Sequence, residues 1–116
     1  MIGRPRYLVN ELKIRGFDVD VGVVEQNSKD ESGKSKRNYL EVDFVANRGD
    51  RRFYIQSALS IDDAEKRAQE TNSLSRINDF FRKIVVVKDD IEPWQDDNEI
   101  QYIGVEQFLL DEEWLR

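Results

Sequence analysis

Two stretches, Tyr39-Leu40-Glu41-Val42-Asp43-Phe44-Val45-Ala46 and Phe53-Tyr54-Ile55-Gln56-Ser57-Ala58-Leu59, flank the turn-forming residues Asn47-Arg48-Gly49-Asp50. Each flank alternates apolar and polar side chains, the period of a half-buried strand, and Gly49 can take the positive φ of a tight connection. The segment therefore predicts an antiparallel hairpin. With Arg48-Gly49 as the loop pair, Ala46 lies opposite Arg51, Asp43 opposite Tyr54, and Glu41 opposite Gln56. Residues two apart share a face, so Glu41, Asp43, Tyr54, Gln56 and Ala58 should project from one side. Leu40, Val42, Phe44, Phe53 and Ile55 should take the other. Two carboxylates and an amide then stand within diagonal reach, an oxygen-rich set that suits Mg²⁺ or Mn²⁺ rather than zinc. The same alternation describes an ordinary half-solvated sheet face, and the residues alone leave both readings open.

Toward the C-terminus, Ser60-Ile61-Asp62-Asp63 matches a capping box, and a helix is predicted from there to about residue 78, with Ile61, Ala64, Ala68, Leu74, Ile77 and Phe81 near one face. Ile84-Val85-Val86-Val87 is the short apolar run of a strand buried on both faces, expected near the middle of the sheet. Residues 100–103 suit a last strand and 105–110 a short helix. Toward the N-terminus, 7–15 reads as a helix with Leu8 and Leu12 on one stripe, stopped by Gly16, and 17–25 as an alternating strand. Residues 26–37 contain nothing apolar, which predicts a mobile polar loop over 26–38 between two strands, with a hairpin tip as one form of it. The expected order is α-β-β-β-α-β-β-α, an α/β fold with a mixed sheet flanked by helices.

At 116 residues the chain is one domain's worth, 1–116, and long enough to bury a core without disulfides or a metal. Cysteine and histidine are both absent, which excludes thiolate nucleophiles, Ser-His pairs and Cys- or His-ligated zinc. Zero cysteines fit a reducing compartment, so the cytoplasm is the expected location. No window approaches the ~18 apolar residues of a membrane span, and no membrane partner is expected. The net charge of -6 is unevenly spread: residues 1–88 hold 17 Lys+Arg against 14 Asp+Glu, and residues 89–116 hold 1 against 10. A polyanion partner for the first three quarters is thus neither supported nor excluded. One possible contact would use Arg4, Arg6, Lys13, Arg15 and the lysines of 26–37.

Several strings in order carry a resemblance: Asn10-Glu11-Leu12, Arg15-Gly16-Phe17, Val19-Asp20-Val21-Gly22, Glu41-Val42-Asp43-Phe44-Val45-Ala46, Tyr54-Ile55-Gln56, and Lys83-Ile84-Val85-Val86-Val87-Lys88-Asp89. Together, from about Tyr7 to Leu110, the chain resembles a C-terminal domain of unknown function that follows the ATPase module in a large group of prokaryotic AAA+ ATPases. That domain is similar to the restriction-endonuclease-like fold, whose active members carry a PD-(D/E)XK pattern around Mg²⁺. The resemblance implies Glu11 as the helix-one acid, Asp43 as the strand acid, and Gln56-Ser57-Ala58 where the nucleases have Glu-x-Lys. It also implies an ATPase module elsewhere in the same chain if these residues are a fragment.

The departures from the pattern decide the expected chemistry. Gln56 keeps a carbonyl oxygen for a hard cation but brings no charge. Ala58 cannot orient or deprotonate a water, nor neutralise developing phosphorane charge, and loss of such a group costs orders of magnitude in rate. The expectation is a non-catalytic nuclease-like accessory domain that docks a protein or nucleic acid. The alternative is an active Mg²⁺- or Mn²⁺-dependent nuclease with an atypical site on Glu11, Asp43 and Gln56, the metal held by Asp43 and Gln56. Gly33-Lys34-Ser35 imitates the end of a Walker A loop, but Ser28 stands where its first glycine belongs. Asp89-Asp90, Glu65, Gln69 and Glu70 read as solvated surface, and Trp94 and Trp114 as lids on the core.

Overall fold

The computed structural model describes residues 6–58, 64–77 and 79–111. The expected capping box, Leu59 and Trp114 lie outside the described residues. The elements run α1 (Arg6–Ile14), β1 (Asp18–Lys29), β2 (Ser35–Arg48), β3 (Arg51–Ala58), α2 (Ala64–Arg76), β4 (Arg82–Val87), β5 (Trp94–Gln95), β6 (Ile100–Gly104) and α3 (Val105–Leu110). This is a mixed α/β fold with one strand, β5, more than expected. The six strands form one sheet in the order β1-β2-β3-β4-β6-β5. Pairing is antiparallel for β1–β2, β2–β3 and β5–β6, and parallel for β3–β4 and β4–β6.

The sheet divides two apolar layers. Leu8 and Leu12 of α1 and Phe108 of α3 pack with Phe17, Phe44, Ala46, Phe53, Ile55, Ile84, Val86 and Ile103 on one face. Leu74 of α2 and Ile77 pack with Leu40, Val42, Val45, Tyr54, Val85, Val87 and Tyr102 on the other. Strand β4 feeds both layers, as its unbroken apolar run requires. With nine residues, α1 is too short to persist alone, so burial of Leu8 and Leu12, at roughly 1.5–3 kcal/mol each, holds it in place. Its end follows the Schellman pattern: Gly16 has φ 89°, its amide donates to the Lys13 carbonyl, and the Phe17 amide reaches the Leu12 carbonyl. On α2 the buried side is Thr71 and Leu74. Ala68 is exposed, contrary to expectation, and so is Phe81 beyond the helix end.

Three expectations are corrected. First, 26–38 is not an unpaired loop. Strands β1 and β2 run through most of it in register from Glu25↔Tyr39 to Lys29↔Ser35, leaving only 30–34 as the connection. Composition misleads here because the ladder satisfies the backbone of a ribbon that needs no apolar side chains, and residues 29–37 face water. Asp30 organises the tip: Oδ1 accepts from the amides of Ser32 and Lys34 and from the Ser32 hydroxyl, chiefly the last of which lowers the Asp30 pKa. Strand β2 rather than a helix follows Lys34, as no Walker A loop would have it. Second, the β2–β3 loop pair is Gly49-Asp50, with Arg48 opposite Arg51 and Ala46 opposite Phe53. Gly49 has φ 62°, at the first central position that a type II′ turn reserves for glycine. The register moves by two residues, which preserves faces.

Third, β2 does not alternate throughout. Val21 pairs with Phe44 and Gly22 with Val42, so Asp43 is an extra residue, a β-bulge. The bulge sends Leu40 and Val42 to the α2 layer while Phe44 and Ala46 stay beneath α1. Gly22 makes it possible, because a Cβ there would stand 2.4 Å from both the Val42 carbonyl oxygen and Val42 Cγ2.

Candidate functional site

Asp43 is placed by the bulge at a fork. The β2–β3 register runs from Arg48↔Arg51 to Phe44↔Ile55 and goes no further. Beyond it, side chains take over from the ladder. The Asp43 amide donates to Gln56 Oε1 at 3.0 Å. The amide and hydroxyl of Ser57 donate to Asp43 Oδ2 at 2.9 and 2.8 Å. Asp43 and Gln56 are half-buried and Ser57 is buried. A carboxylate that accepts two donors in this setting ties the strands where backbone bonds stop.

The structure thus joins Asp43 to Gln56, but not as a shared ligand pair. Gln56 is reached through the Asp43 backbone, whereas the carboxylate turns to Ser57. By strand alternation Ser57 belongs with Phe53 and Ile55 on the α1 side, and Gln56 with Tyr54 on the α2 side. The expected common face of Asp43, Gln56 and Ala58 is therefore corrected. Bulge and fork turn the acid toward the neighbour of opposite parity. Glu41 is exposed, and Ala58 is 2% exposed in the α2 layer.

Glu11 is engaged elsewhere. Its Oε1 accepts from Nε and Nη2 of Arg15 at 3.2 and 3.1 Å. The same guanidinium donates to the carbonyls of Phe108, Leu109 and Asp111 at the end of α3 and lies 5.3 Å from the Phe108 ring centroid. Arg15 is thus a clasp between helices rather than a surface cation for a polyanion. Arg4 lies outside the described residues, and Lys13 is exposed.

A resident divalent ion needs several hard oxygens converging on one point. Here one oxygen of Asp43 and that of Gln56 already accept hydrogen bonds, and Glu11 is paired with Arg15. Among the described residues no group of three or more acidic side chains is placed to hold a metal. The donor set does not fit Mg²⁺ or Mn²⁺.

Two further constellations were not singled out by sequence. At the start of β4, Lys83, 9% exposed, donates to the carbonyls of Asp79 and Phe81 and lies 3.6 Å from Asp79 Oδ1, while Tyr54 donates to Asp79 Oδ2. Burial, reinforced by the Asp79 hydrogen bond, raises the Tyr54 pKa. Beside it, Arg51, Arg52, Phe80, Phe81 and Arg82 border a shallow hollow of about 290 Å³. The sequence signal was available as arginines flanking a hairpin turn and the run Phe80-Phe81-Arg82-Lys83, which only the parallel β3–β4 pairing brings together. Trp94, expected as a lid on the core, is exposed and stacks on Tyr102 at 4.3 Å between centroids. Asp89, Asp90, Glu65 and Gln69 are exposed, as expected.

No protein-family model matches the chain, and no solved structure matches it. An uncharacterized protein of Haemophilus influenzae is 31% identical to it over 100 residues, 86% of this chain and 21% of that protein. The chain spans about a fifth of that relative's length. Among the described residues no helix is long and apolar enough to cross a membrane.

Proposed function

We propose that this is a non-catalytic, restriction-endonuclease-like accessory domain of an AAA+ ATPase chain, where it docks a protein or nucleic-acid partner. The observation that carries the reading is the employment of Asp43: its carboxylate holds the Ser57 amide and hydroxyl at the fork, a structural duty in place of metal binding. Ala58 adds to it, since the position of a nuclease lysine holds a methyl group packed in an apolar layer. The element order, α-β-β-β-α-β with a mixed sheet, supports the fold assignment, and the relative of nearly five times the matched length supports a place within a longer chain.

Incubation with single- and double-stranded DNA and RNA in Mg²⁺ or Mn²⁺ tests the reading. No cleavage above a protein-free blank is expected. Metal-dependent cleavage that disappears in Asp43→Ala would overturn it.

A further inference from the structure

The two edges of the sheet are finished differently. β5 is an edge of two residues, entered through Pro93 and closed by the stack of Trp94 on Tyr102. Shortness and proline both keep an edge from pairing further. β1 is an edge of 12 residues, and among the described residues no strand pairs with its outer side. Every second residue of β1 therefore turns an amide and a carbonyl away from β2, which makes a template for one more strand. The bulge puts its extra residue on β2, so β1 itself keeps strict alternation along this side.

The side chains of β1 say what kind of strand fits. Val19 packs in the α1 layer and Val24 in the α2 layer, so odd and even positions of β1 take opposite faces. Asp18 and Asp20 stand together on the α2 side, about 7 Å apart at 3.4 Å per residue, and both are exposed. Among the described residues neither forms an ion pair. Arg48 and Arg52 are engaged elsewhere, the first with the Arg15 carbonyl and the Phe17 ring, the second with Asn47. Lys13 borders with the two acids a shallow hollow of about 690 Å³ at the start of β1, which leaves carboxylates in excess there. On the other face Val23 is 56% exposed.

A strand added antiparallel to β1 would meet Asp20 and Asp18 with two residues spaced two apart on one face. It would meet Val23 with a residue three positions earlier, on the other face. Lys or Arg in the first two places and an apolar residue in the third satisfy both, the pattern apolar-x-x-basic-x-basic. A polyanion is repelled by the same acids. A second copy of the chain fits less well, because antiparallel pairing of β1 with itself keeps faces, and its even positions hold Asp18, Asp20, Gly22, Val24, Gln26 and Ser28, none of them basic.

We propose that the outer edge of β1 binds an extended basic segment of a protein partner by strand addition, with Lys or Arg side chains of that segment on Asp18 and Asp20. This rests on the docking part of the function proposed above and names the partner's chemistry.

Fluorescence anisotropy with a labelled peptide of about ten residues, threonine except for the pattern Val-x-x-Lys-x-Lys, tests it. Two further forms of the peptide carry N-methyl groups on alternate backbone nitrogens, of one parity or the other. Only one parity donates to β1 in an added strand, so one form should bind as the unmodified peptide does and the other should lose about 10-fold or more. Asp18→Asn with Asp20→Asn should weaken binding about 10-fold at about 50 mM salt and far less at about 500 mM. Asp89→Asn with Asp90→Asn removes the same charge at the end of β4, three strands away, and should bind as the parent does. All four acids are exposed, so the variants should fold, which circular dichroism checks. Absence of binding at about 50 mM salt would overturn the proposal. So would equal affinity of the two methylated forms, or equal loss in the two double variants. A dimer in sedimentation that excludes the peptide would overturn it in favour of a second copy. Cleavage of nucleic acid would sink the non-catalytic reading and leave this edge standing; failure of the peptide without cleavage would do the reverse.

Discussion

The two ends of the β2–β3 pair are closed by different means. At the turn, Arg48 and Arg51 face each other across a two-residue connection, and the ladder runs unbroken to Phe44 and Ile55. At the other end the backbones part, and Asp43, Gln56 and Ser57 bridge the gap with side chains. A ladder bond depends little on which residue supplies it, whereas a side-chain bridge is lost with one substitution. The turn end can therefore vary its exposed side chains at small structural cost, and the fork cannot. Polar residues on a strand are thus poor evidence of chemistry until their hydrogen bonds have been followed.

The largest expected effect breaks the fork from behind. Gly22→Val drives a side chain against the Val42 carbonyl oxygen, which a Cβ would already meet at 2.4 Å. A loss of about 3 kcal/mol or more in urea unfolding is expected. A loss below about 1 kcal/mol would mean that the bulge relaxes without cost. Next in size, Asp43→Ala leaves the Ser57 amide and hydroxyl without their acceptor and should cost about 2 kcal/mol. Asp43→Asn, which keeps an acceptor oxygen, should cost about half as much, and equal losses would rule out the hydrogen-bond account.

The smallest effect sharpens the comparison from under the turn end. The folded protein holds the Tyr54 proton more tightly than the unfolded chain, whose value is near 10.0. The stability this contributes is complete below pH 10 and drains away as pH rises above it. Tyr54→Phe should therefore flatten the alkaline decline in thermal midpoint and cost about 1 kcal/mol at neutral pH. Tyr102, raised by burial and by its bond to Asp96, titrates in the same direction and leaves part of the slope in that variant.

Much of the architecture was legible because it rests on local signals. Gly16 ended α1, the Ile84–Val87 run marked a strand covered on both sides, and Gly49 announced the hairpin. The exact loop pair was not legible, since Arg48-Gly49 and Gly49-Asp50 both offer a glycine, and the choice falls to the twist of the strands. The bulge was less legible still. Leu40, Val42, Phe44 and Ala46 keep a perfect period of two, and only Gly22 on the partner strand hints that the period is interrupted. Of the expected site residues, Asp43 and Gln56 meet only through the Asp43 amide, and the partners of their side chains were not foreseeable. Which oxygen meets Ser57, and whether Glu11 turns to Arg15, depend on tertiary placement.

The Arg15 clasp has a consequence for how the molecule is put together. The bond from its guanidinium to the Phe108 carbonyl spans 93 residues, so forming it early would mean closing a very long loop for one contact. The strands must first bring the chain back on itself, and the clasp then snaps shut on a surface already assembled. An interaction made that late governs how long the native state lasts more than how quickly it is reached.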